Sequence, residues 1–161
     1  MLSAYDALPA GAPESVTWSV RARLKGKDTV VHARDHALSF SRPVSFLPKG
    51  DSAPSALDGL LAALAGELVS GFMAIAQRRQ LVIDACEAQV VASLENPLVA
   101  AGVIGEEGSP GLGKLTATLY VATPDSEDDV KSALDAALVR GPVYATLARA
   151  CPTNITLKIT L

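Results

Sequence analysis

The sequence predicts an α+β fold, with antiparallel-rich sheets and helices segregated to one side. Three observations predict it. Segments that alternate apolar and polar residues occur early, in the middle and at the end of the chain, as in VTWSVRARLKG, KLTATLYVAT and ITLKITL. One long apolar helical segment, LLAALAGELVSGFMAIAQRR, separates the first strands from the later ones. Two helical segments with clear start and stop residues then precede the final strand.

Residues 1–15, rich in Ala, Pro and Gly, read as a tail, and residues 16–161 as one domain. In the first strand Val16, Trp18, Val20, Ala22 and Leu24 point one way, while Thr17, Ser19, Arg21, Arg23 and Lys25 point the other. That is the pattern of a half-buried strand. GKD is a turn signal, and TVVHA and ALSF read as two more short strands of a meander. Ser55 is the expected N-cap of the long helix, with Asp58 three residues on. Inside that helix Gly59, Gly66 and Gly71 each cost up to about 1 kcal/mol relative to Ala. Together with Ala62, Ala63, Ala65, Ala74 and Ala76 they predict close approach to another backbone.

LVIDACEAQVVASLE is the next expected strand, with Cys86, Ala88, Val90, Ala92 and Leu94 on one face. NPLVAAGVIGEEGSPGLG reads as a long irregular connection. In the strand that follows, Leu115, Ala117, Leu119 and Val121 lie inward. SEDDVKSALDAALVRG carries Ser126 as N-cap, an acidic first turn and Gly141 as its stop. Pro142 opens a second short helix at its first position. Pro152 disfavours helical geometry at Cys151 and ends it there.

Composition removes several classes of function. The 161 residues are 49% hydrophobic but only 4% aromatic, so the core is built mainly of Ala, Val, Leu and Ile. A net charge of -3 without a basic cluster gives no case for nucleic acid or an anionic membrane. Cys86 and Cys151 are too few for a disulfide scaffold and lack metal-site spacing, and the N-terminus has no signal-peptide pattern, which points to the reducing cytoplasm. The stretch from Ala56 to Ala76 is long enough to span a bilayer. A carboxylate at its centre, Glu67, would cost about 2.5–3.5 kcal/mol on insertion. The expectation is therefore a soluble protein with this helix buried on nearly all sides.

The buried LLAALAG helix, followed roughly 80 residues later by ARACPTNITL and a terminal strand, resembles the OsmC/Ohr family, whose members resist osmotic stress and organic hydroperoxides. The resemblance runs from about Val16 to Leu161. It implies an intertwined homodimer with a long buried central helix and two sites at the subunit interface. It also implies a helix cysteine that attacks peroxide, a second cysteine in the Cys-Pro motif that pairs with it, and an arginine that holds the thiolate. Carried onto this chain, the second cysteine is Cys151, and the first cysteine's position holds Glu67. Lys27 is the nearest match for the arginine, with Arg21 or Arg23 as substitutes. The family's glutamate near the helix start has no clear counterpart, since Asp58 lies one position off.

A carboxylate is neither oxidised by peroxide nor able to form a disulfide, so the two-cysteine cycle is unavailable. Two readings stand for Glu67: a general acid or base in a cleft, or a carboxylate paired across the dimer with a cation such as Lys27. Cys86, on the apolar face of a strand, reads as a structural thiol. Cys151 alone remains able to form a sulfenic acid that an external thiol would recycle. His32 and His36 lie four apart in a strand-and-turn segment, which spoils metal geometry, and the turn at Gly111–Lys114 lacks the spacing of a phosphate cradle. Neither metal nor cofactor is expected. The sequence thus supports a divergent homodimer without standard peroxide reduction, keeping an interfacial pocket for a small apolar or thiol-reactive ligand. The alternative is a one-cysteine thiol peroxidase, taking a hydroperoxide and using Cys151 with Glu67 as acid or base. The third possibility is a purely structural or partner-binding protein.

Overall fold

The computed structural model describes residues 15–47 and 49–160. The expected tail lies outside them, apart from Ser15. Contacts divide the chain into two compact units, one ending at Ala56 and one spanning Leu57–Leu161.

The first unit is a meander of β1 (Arg21–Lys25), β2 (Asp28–Ala33) and β3 (His36–Phe40), antiparallel throughout. Its register sets Ala22, Val31 and Leu38 side by side, and likewise Leu24, Thr29 and Phe40. These rows make one apolar face, because residues directly opposite in a ladder share a face. Arg21 and Arg23 stand on the other face, beside His32 and Val30. The expected first strand is longer than the one formed: residues 16–20 carry the alternating pattern but no ladder. β1 is also exposed along its whole length rather than half-buried. The loop after β3 is tied down by polar contacts. The Ser52 hydroxyl donates to Asp28 at 2.6 Å, and Asp51 accepts from both Arg42 and Ser45.

The second unit holds all of α1 (Ala56–Arg78) but its first residue. β4 (Ala85–Leu94), the short helix α2 (Pro97–Ala100) and β5 (Leu112–Ala122) follow. Next come α3 (Glu127–Arg140), α4 (Pro142–Ala150) and β6 (Thr153–Thr160). The sheet order is β4-β5-β6, with β4 antiparallel and β6 parallel to β5. A parallel neighbour needs a long crossover, and α3 with α4 supplies it. Leu115, Ala117, Leu119 and Val121 of the central strand are fully buried, as their alternation predicts. Against them lie Leu64, Leu68, Phe72, Ile75 and Ala76 of α1, together with Val130, Ala133 and Leu134 of α3. A fully buried Phe72 or Leu64 contributes about 1.5–3 kcal/mol.

Helix α1 departs from expectation in one respect. Only one face is buried; Ala62, Ala63, Gly66 and Ser70 are exposed. A side chain added at Gly66 would meet nothing within 4 Å, and one at Gly71 would meet the Ala137 Cβ only at 3.9 Å. The chain's own core covers the 64–68–72–75 stripe and leaves the small-residue side open. By length and composition α1 could cross a membrane; Leu64, Leu68, Phe72 and Ile75 are buried in the core, while Leu60 is exposed.

Candidate functional site

Glu67 lies near the middle of α1 and is half-buried. Its carboxylate meets the start of α4. The Val143 N–H donates to Oε2 at 2.8 Å and the Tyr144 N–H donates to Oε1 at 2.7 Å. These are the second and third residues of a helix whose first residue, Pro142, has no N–H to offer. Gly141, the residue before it, offers no side-chain cap. The first amides of a helix have no intrahelical acceptor, and the helix dipole favours negative charge there. Glu67 therefore acts as an N-cap delivered from a different helix, a role that residue types alone do not reveal.

Gly141 is needed for space. Its φ of -84° is open to any residue, but a Cβ there would stand 2.7 Å from Glu67 Oε1 and 3.1 Å from Cδ. Predicted as the stop of α3, it also admits the carboxylate. Gly141→Ala is expected to push the carboxylate off its amides and cost about 1–2 kcal/mol. In a Glu67→Ala background the same change should cost almost nothing. A double-mutant cycle by urea unfolding checks this; additive losses would mean that the two positions do not interact.

Cys151 stands at the other end of the same helix. It is the C-cap of α4, in extended geometry with φ -148°. The thiol is buried; its S–H donates to the Leu147 carbonyl at 3.6 Å, and the Thr153 hydroxyl lies 3.9 Å away. From Val143 to Cys151 the helix rises about 12 Å. The carboxylate and the thiol, joined at one site by the family resemblance, are thus held apart by α4 within a chain.

Cys86 does not approach Cys151 either. Cys86 pairs with Val121 on β5, whereas Thr153, two residues past Cys151, pairs with Leu115. From Leu115 to Val121 the strand runs about 20 Å, far beyond disulfide reach. Burial pushes the Cys86 thiol above its ordinary value, which disfavours the reactive thiolate. Both cysteines are free.

The candidate cations belong to the first unit. Arg21 and Arg23 lie on β1, Lys27 lies in the turn between β1 and β2, and all three are exposed. Adjacent register positions place His32 and His36 on opposite faces of the β2–β3 hairpin, His36 sharing its face with Ala33.

Two three-stranded sheets, a long Gly/Ala-rich helix and a Cys-Pro step into the last strand define an α+β fold. A family model described as OsmC-like protein matches residues 49–156, and the chain belongs to that family. Among solved structures, an OsmC-like protein from Mycoplasma pneumoniae has a TM-score of 0.73 at 16% identity, covering 91% of this chain and 99% of its own. An organic hydroperoxide resistance protein OsmC from Legionella pneumophila has a TM-score of 0.60 at 14% identity, covering 89% and 97%. The organic hydroperoxide resistance protein OhrB of Bacillus subtilis has a TM-score of 0.53 at 20% identity, covering 89% and 98%. At these identities the likeness is one of fold. No curated protein matches the chain.

Proposed function

We propose that this chain is a cytoplasmic, OsmC-like homodimer without two-cysteine peroxide reduction, keeping an interfacial pocket for a small apolar or thiol-reactive ligand. The observation that carries the reading is the double hydrogen bond of Glu67 to Val143 and Tyr144. Where the resemblance puts a reactive sulfur, this chain has a carboxylate with both oxygens engaged in holding a helix. Cys151 is left buried, with no second thiol in reach.

Purified wild type, supplied with dithiothreitol or a lipoyl reductant, is expected to consume organic hydroperoxide no faster than Cys151→Ser. Turnover that disappears in Cys151→Ser would replace this reading with a one-cysteine peroxidase recycled by an external thiol.

Two features support association of two copies. One is the exposed apolar face of the first sheet. Leu24 and Leu38 are exposed there, and Val16, Trp18, Val20 and Leu38, with Arg34 and His36, line an open groove of about 650 Å³. The other is charge: residues 15–47 carry six Lys and Arg against two Asp, in a chain of net charge -3. Trp18 is the single tryptophan and is 71% exposed, so it reports association directly. Its fluorescence is expected to shift to the blue as protein concentration rises through the dimer range. A water-like spectrum at every concentration, with a monomer by light scattering, would overturn the homodimer.

A further inference from the structure

We draw no further inference here: the strongest candidate, the exposed apolar arm between β4 and β5 that carries Leu98, Val103 and Ile104, is an unpartnered apolar surface, and nothing in the structure shows what covers it.

Discussion

Replacing Glu67 with alanine is expected to destabilise the chain by about 2–4 kcal/mol, from two lost hydrogen bonds to a charged group, discounted for partial exposure. For a protein of this size that corresponds to a fall of roughly 5–15 °C in Tm. The cost falls on α4. Val143 and Tyr144 lose their acceptor, Pro142 has no N–H, and Gly141 brings no side chain to replace the cap. Glu67→Gln keeps one acceptor oxygen but turns an amide donor toward the other N–H, so it should lose half of the stability or more. The space vacated in Glu67→Ala has two N–H donors at a helix start, a ready seat for a small anion. Formate should therefore raise the Tm of Glu67→Ala more than chloride does at equal ionic strength, with no such difference in wild type. Thermal unfolding of the three proteins in each salt is the measurement. An unchanged midpoint in Glu67→Ala would sink the capping role.

Glu67→Cys, which restores sulfur at the position the family resemblance assigns to it, is expected to gain no peroxide reduction. Two reasons combine. The change removes the cap, with a stability loss close to that of Glu67→Ala. The carboxylate it replaces meets the Val143 end of α4, and that helix rises about 12 Å from Val143 to Cys151, whereas a disulfide needs Cα atoms no more than about 7 Å apart. After one equivalent of hydroperoxide, intact mass under non-reducing conditions should show no loss of two hydrogens within a chain. A variant that forms that disulfide and turns over substrate would mean that α4 moves to bring the two ends together. The carboxylate would then be the departure from the family's cycle that blocks it, and a single substitution would remove the block.

Features that depend on neighbours in sequence were legible. Ser126 accepts from the Asp129 N–H at 3.2 Å, as its place before an acidic first turn predicts. Pro142 begins α4 and Pro152 follows its end at Cys151. The alternation from Leu115 to Val121 names the buried side of the central strand. Each of these follows from chemistry carried by a few consecutive residues: a missing N–H, a capping oxygen, a period of two.

Other features required the folded chain. Residues 16–20 alternate as cleanly as those of β1 but form no ladder: the last register pair is Arg21 with His32, and only Ala33 of β2 lies beyond it. Alternation marks a side chain's face; a partner strand sets the length. The parallel direction of β6 is likewise a property of the crossover, which residue types do not encode.

The sequence by itself determined the α+β class, the limits of the capped helices, the family and the presence of a carboxylate within an apolar helix. Only the tertiary structure decided what that carboxylate does. Its partners lie 76 and 77 residues away and are backbone amides. Every residue but proline carries such an amide, so residue identity cannot announce the contact. The faint signal was Gly-Pro at positions 141 and 142: a helix start with no cap of its own and room for one brought from elsewhere.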